Sequence, residues 1–158
     1  MQLPRWIENT LEEEHVAYRL HHHRPCYTSQ DVAAEEHVSG HRLAKVVIVR
    51  AGDELVAVVL PASRRLDLSA VSEALGGVPC RLASEQEIAE RFTDCEVGAI
   101  PPLAHWDGVK LLADASLMQG RGPMMFQAGT HEDAIELSLA DWQRIAHPTA
   151  GRFATSLN

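Results

Sequence analysis

Two apolar runs face each other across a short turn: Lys45-Val46-Val47-Ile48-Val49, and then Leu55 to Leu60. Arg50 and the segment Ala51-Gly52-Asp53-Glu54 are all that separates them. β-Branched residues favour a pleated strand, and a brief polar connection with glycine lets the chain reverse. The pattern predicts a β-hairpin whose first strand is buried. Whatever else the chain does, its remaining elements must be arranged around that strand pair.

Those elements are mostly short. Trp6, Ile7 and Leu11 recur at helical spacing, so the first dozen residues read as an amphipathic helix. A strand is expected around Tyr18 to His21. Thr28-Ser29-Gln30-Asp31 then resembles a capping box leading into a helix from Val32 to His37. Leu66, Val71 and Leu75 mark another helix, stopped by Gly76-Gly77, and Ser84-Glu85-Gln86-Glu87 caps one that runs to about Arg91. Gly98-Ala99-Ile100-Pro101-Pro102 is neither helix nor central strand. Strands follow near Lys110 to Ala113 and Met124 to Gln127, and a third where Ile135, Leu137 and Leu139 alternate with polar residues. The last helix is capped near Ser138 and carries Leu139, Trp142 and Ile145. Helices do not alternate regularly with strands, which argues against a doubly wound parallel sheet. A curved sheet, mostly antiparallel or mixed, with helices packed around it fits better.

The 158 residues suit one domain spanning 1–158, with no repeat or linker to divide it. Only 5% of residues are aromatic, so Val, Leu, Ile and Ala must supply the core. No apolar run reaches bilayer length and the first eleven residues lack a signal-peptide core, so a cytoplasmic protein without a membrane partner is expected. Three cysteines, Cys26, Cys80 and Cys95, lack CxxC spacing, which disfavours a disulfide framework or a thiolate zinc site. The formal net charge of −8 opposes broad binding to a nucleic-acid backbone. A local grip is still open: from His15 to Arg50, Arg19, Arg24, Arg42, Lys45 and Arg50 outnumber Asp31, Glu35 and Glu36.

Three places are not explained by local structure. Lys45 stands at the entry to an apolar strand, where its ammonium either snorkels to solvent or projects into a cleft. Gly98 to Pro102 is either a plain connection or a rigid loop whose unpaired carbonyls and amides meet a ligand. Gly129-Thr130-His131 offers a sharp bend and a group that exchanges protons near neutrality, set against the plainer reading of a solitary surface histidine. His21-His22-His23 alternate sides of a strand and have no acidic or cysteine neighbour at ligand spacing, so no metal site is expected. Cys26 beside Arg24 has the setting of an activated thiol, but a small buried thiol is the plainer reading. No Gly-x-Ser-x-Gly, Walker or GxGxxG signature occurs.

Together the segments His-Arg-Leu-Ala-Lys-Val-Val-Ile-Val (41–49), Gly-Ala-Ile-Pro-Pro (98–102) and Phe-Gln-Ala-Gly-Thr-His (126–131) resemble the YbaK family, also called the prolyl-tRNA-synthetase-associated or editing domain family. Val-Leu-Pro at 59–61, Asp67-Leu68 and Asp114 agree in order, and Gln127 departs from the asparagine common in related sequences. The resemblance implies an α/β fold of the α+β type: a mixed, mostly antiparallel, barrel-like sheet surrounded by helices. It implies hydrolysis of the ester of a mischarged tRNA, a small amino acid on proline tRNA above all, without metal or other cofactor. Lys45 and His131 are then the catalytic candidates. Tyr27, Thr28, Gly98, Ala99, Ile100, Pro101, Pro102, Gly129 and Thr130 are the substrate-binding candidates. The implied partners are the tRNA acceptor end and a prolyl-tRNA synthetase. The competing reading is a non-catalytic module that keeps the pocket to bind a small ligand or charged tRNA.

Overall fold

The computed structural model describes residues 1–120 and 122–157. Helix α1 (Arg5–Glu13) leads to β1 (Tyr18–His22), α2 (Ser29–Glu35) and the hairpin of β2 (Leu43–Ala51) and β3 (Glu54–Pro61). Then come β4 (Arg64–Leu66), α3 (Leu68–Ala74), β5 (Cys80–Leu82) and α4 (Glu85–Arg91). A long connection reaches β6 (Lys110–Asp114), followed by α5 (Ala115–Met118), β7 (Pro123–Gln127), β8 (Asp133–Ser138), α6 (Leu139–Ala146), β9 (Thr149–Gly151) and β10 (Ala154–Ser156).

Seven strands run in the order β1-β8-β7-β2-β3-β6-β9, and β5 joins β2 off that path. Pairing is antiparallel for β1/β8, β7/β8, β2/β3 and β2/β5, and parallel for β2/β7, β3/β6 and β6/β9. The expected mixed, mostly antiparallel sheet is therefore present, and β4 and β10 form a separate two-stranded sheet. Ala51 pairs with Glu54, leaving Gly52-Asp53 as a two-residue turn in which Gly52 takes φ +60°. That left-handed geometry is what a tight hairpin asks of a glycine.

One edge of β2 is lined by β3 throughout, and the other is shared. β7 pairs there with Leu43 and Ala44, and β5 with Val49 to Ala51. Lys45 to Val47 fall in the gap between these two partners. Side chains alternate along a strand, so β2 feeds both faces of the sheet. Ala44 and Ile48 join the largest core cluster with Ile7 and Leu11 of α1, Ile100, Leu103 and Trp142 of α6. On the opposite face Leu43 packs with Val32 and Ala33 of α2, while Val49 packs with Val71 of α3. Lys45 belongs to this second face, where the α2 and α3 clusters part.

Three details differ from the sequence reading. Leu66 closes β4 rather than opening a helix, because Asp67 caps α3 by accepting from the Ala70 amide. Leu139 begins α6 instead of ending the preceding strand, with Ser138 accepting from the Asp141 amide. At α2 only half of a capping box forms: Thr28 accepts from the Asp31 amide.

Candidate functional site

Lys45 is half-buried, and among the described residues it has no hydrogen-bond or ion-pair partner. Burial alone lowers its pKa. Its cross-strand neighbour is the fully buried Leu60. On the other edge, the parallel pairs Leu43/Met125 and Ala44/Phe126 bring Lys45 level with Gln127, the last residue of β7.

Gln127 begins a knot of hydrogen bonds around one carbonyl. Its Nε2 donates to the Cys26 carbonyl at 3.3 Å, and His131 Nδ1 lies 3.1 Å from the same oxygen. His131 Nε2 lies 2.9 Å from the Val97 carbonyl. The imidazole thus spans two loops, with each nitrogen turned to a carbonyl; a neutral ring donates to one of them and an imidazolium to both. Its own backbone amide donates to the Glu96 carboxylate at 2.5 Å. This is not a solitary surface histidine. Tyr27, 71% exposed, leans over the ring with centroids 4.8 Å apart. Gly98 also lies against the ring, where an added Cβ would come within 3.4 Å of His131 Cε1.

The segment from Gly98 to Pro102 is more tightly bonded than its sequence suggests. Gly129 donates to the Ala99 carbonyl at 2.8 Å, Leu103 to that of Pro101, and Trp142 Nε1 to that of Pro102 at 2.8 Å. The expectation of unpaired carbonyls fails at these positions, because the segment is part of the core. Ala99, Ile100, Pro101 and Pro102 are buried, and only Gly98 reaches the surface. The amides of Gly98 and Ile100 have no acceptor among the described residues.

Hydrogen bonds and ring contacts thus link Gln127, Tyr27, His131 and Gly98, and the β2/β7 register brings Lys45 level with Gln127. Thr28 is exposed but serves as the α2 cap. Gly129 and Thr130 lie beneath the surface. Thr130, 1% exposed, donates to Asp133 at 2.6 Å, and Gly129 holds φ +88° with Pro4 packed so closely that a Cβ would lie 2.7 Å from Pro4 Cδ. Gln127 and Glu96 were not singled out for the site from sequence, although Gln127 immediately precedes the Ala-Gly-Thr-His segment.

The thiols and histidines also resolve. Cys26 is buried, and burial together with Glu35 and Asp31 pushes its pKa up, outweighing Arg24. Burial and Asp94 raise Cys95 to about 12. Neither sits where a thiolate is favoured. His21 and His23 do have an acidic partner, supplied by the C-cap of α2 rather than by local spacing: Glu36 lies 3.3 Å from His21 Nδ1 and 3.8 Å from His23 Nε2. Among the described residues no three His, Cys, Asp or Glu side chains come together as a metal would require. No helix of the described residues is long and apolar enough to cross a membrane.

Residues 23–145 match the model of the aminoacyl-tRNA editing domain family. A curated relative from Escherichia coli, named a multifunctional Ser/Thr-tRNA deacylase, is 37% identical over 98 residues, which is 62% of this chain and 58% of the relative. The match thus spans little more than half of that protein's length. A hypothetical protein of known crystal structure superposes with a TM-score of 0.83 at 26% identity, covering 94% of this chain and 99% of the other. A candidate trans-editing enzyme for prolyl tRNA synthetase shares the fold, with a TM-score of 0.82 at 17% identity over 96% of each chain.

Proposed function

The chain belongs to the aminoacyl-tRNA editing domain family, and on that premise we propose that it hydrolyses, in trans, the ester joining a small amino acid to the wrong tRNA. Proline tRNA is the proposed carrier, the cytoplasm the place, and a prolyl-tRNA synthetase the upstream partner. The whole chain is taken as one such domain. The observation that carries this reading is the ammonium of Lys45, half-buried without a counter-ion. A desolvated charge with no partner costs free energy that a bound anion restores.

In this reading Lys45 holds a phosphate next to the terminal adenosine and so fixes the ester beside Gly98. A water attacks the ester carbonyl, and the tetrahedral oxyanion is stabilised by a backbone donor, for which the unpaired Gly98 amide is the candidate. Collapse expels the ribose oxygen, which takes a proton as it leaves, giving free amino acid and tRNA. The ester is already activated, so orientation supplies much of the rate gain and no protein nucleophile is needed. The substrate's neighbouring ribose hydroxyl orients the water. Tyr27 offers an exposed face for stacking a base or the ribose. His131 is a positioning residue that ties Cys26 to Val97 and sets where Gly98 lies. The packed segment from Ala99 to Pro102 acts from behind, fixing the size of the space for the amino acid.

Purified protein offered a panel of mischarged tRNAs should release a small amino acid from at least one. Serine and threonine esters belong in the panel because of the named relative. Lys45→Ala should lower kcat/KM by about ten- to a hundredfold, as expected for a charge-assisted contact of roughly 1.5–3 kcal/mol. Activity should survive a chelator and also Cys26→Ala. Failure to cleave any ester, or full turnover by a folded Lys45→Ala protein, overturns the reading.

A further inference from the structure

The sequence alone left open a local basic grip among Arg19, Arg24, Arg42, Lys45 and Arg50. The structure redistributes it. Arg24 is paired with Glu35 at 2.8 Å, and Arg50 with Glu87 at 2.7 Å. Among the described residues Arg42, Lys45, Arg64, Arg65 and Arg152 have no carboxylate partner.

These cations belong to neighbouring segments. Ser63 donates its amide to the Gly40 carbonyl, and its hydroxyl lies 2.7 Å from His41 Nδ1, which joins the approach to β2 with the approach to β4. β4 then pairs with β10, Arg64 opposite Ser156 and Arg65 opposite Thr155. Arg152 enters β10 beside the bond from the Asp67 amide to the Phe153 carbonyl. The segments that build this region contain no acid: there is no Asp or Glu from Val38 to Gly52, from Leu55 to Leu66, or from Trp142 to Leu157. Two carboxylates flank these segments, each engaged in hydrogen bonds. Asp67 caps α3, and the buried Asp114 accepts from Ser116 and from the Phe153 amide. In a chain carrying 22 acidic residues, acid-free segments with arginines that lack a carboxylate partner, Arg65 and Arg152 exposed and Arg64 half-buried, mark a local positive field.

We propose that the β4–β10 sheet, with Arg64, Arg65 and Arg152, is the surface that receives the phosphate backbone of an RNA acceptor stem whose end enters at Lys45. The proposal rests on the deacylase reading for the end of the RNA but not for the surface itself. Arginine suits this task because its planar fork meets phosphate oxygens in pairs, and the three side chains need no release from existing ion pairs. The same face adjoins the site through Ser63 and His41, and Lys45 lies three residues beyond Arg42 on β2. A duplex laid along β4 and β10 therefore leads its single-stranded end toward the unpaired ammonium. The overall negative charge keeps the footprint confined to this face.

The test uses the full chain and an uncharged RNA hairpin with the acceptor-stem sequence and a CCA end. Its affinity is measured against salt for the parent, for Arg64→Gln/Arg65→Gln/Arg152→Gln, and for the corresponding triple lysine variant. Each lost phosphate contact flattens the slope of log affinity against log salt by about 0.9, so the glutamine variant should lose about 2 to 3 units. The lysine variant should keep most of the slope, which separates lost charge from lost folding. On the charged hairpin the glutamine variant should show a KM raised at least tenfold with kcat nearly kept. An aminoacylated CCA trinucleotide, too short to reach β4, should be turned over within about twofold of the parent rate. An unchanged salt slope overturns the surface even if the parent is an active deacylase. A flattened slope in a protein that cleaves no ester upholds the surface and sinks the deacylase reading instead. If the variant keeps RNA affinity but loses binding to a purified prolyl-tRNA synthetase, the face is a protein interface and the RNA proposal is wrong.

Discussion

An ammonium held half out of water with nothing to neutralise it is kept at the expense of stability. Burial lowers the pKa of Lys45 in the folded chain. The native state therefore binds that proton less tightly than the unfolded state. The penalty is present in full below the folded pKa and fades as pH rises from there toward the unfolded value. Lys45→Met keeps the aliphatic stem and removes the charge. It should be at least as resistant to urea as the parent at pH 7, with the difference closing at alkaline pH, while deacylation collapses. A stability loss above about 1 kcal/mol would show that Lys45 has an internal partner and is structural. His131 makes the opposite case, since its ring is used on both sides by carbonyls. His131→Ala should loosen the loops at Cys26 and Val97, costing roughly 1–3 kcal/mol. If the residue only positions the site, the loss of activity should fall mainly on KM, and the activity profile against pH should keep its shape. A lost titration step would make it an acid or base instead.

Among the elements, α4 shows how a short helix is made to hold a sheet together. Ser84 accepts from the Glu87 amide while Glu87 accepts from the Ser84 amide, a complete capping box. The same carboxylate takes Arg81 of β5 and Arg50 of β2, and Arg81 first, then the Ser84 amide and Arg50, hold its pKa far below the usual range. A depressed folded pKa stabilises above the unfolded value, near 4.5, and that support fades as pH falls below it. Glu87→Gln should thus lower the urea midpoint at pH 7 and differ less from the parent at pH 3. An equal difference at both values would mean the charge is irrelevant. The cap of α4 was readable because it lies within four consecutive residues. Helix α1, the hairpin and β8 were likewise legible from local periodicity. Strand β5 was not, since Cys80-Arg81-Leu82 has no alternation and pairs only because β2 and Glu87 are waiting for it. The three-residue strands β4, β9 and β10 escaped for the same reason. Of the site, the unusual segments were visible as local oddities. The missing counter-ion of Lys45 is set only in the folded chain, and the double use of His131 depends on Val97 and Cys26, 34 and 105 positions away, so neither left a local trace.

At the scale of the whole molecule, the proposed function has the space for the amino acid set by parts of the chain that never touch it. The segment before and through Pro102 is held by α1, where Trp6 Nε1 donates to Asp94 at 2.6 Å and Pro4 covers Gly129. The turn after β7 holds it through Gly129 and His131, and α6 holds it through the fully buried Trp142, whose Nε1 reaches the Pro102 carbonyl. A small pocket gains little discrimination from one methylene, about 1–3 kcal/mol, and keeps even that only if its walls do not yield. Trp142→Phe removes the donor, leaves the Pro102 carbonyl unpaired and opens space behind the loop. The orphaned carbonyl alone should cost roughly 1–3 kcal/mol, with the lost volume adding to it. The more telling measurement is the ratio of kcat/KM for a small amino acid ester against a bulkier one on the same tRNA. If rigidity reaches the pocket from α6, that ratio should narrow several-fold, mostly because the bulkier ester improves. A folded Trp142→Phe protein that loses stability but keeps the parent's ratio would mean that the loop is anchored well enough without α6. Discrimination would then reside in the residues at the surface alone.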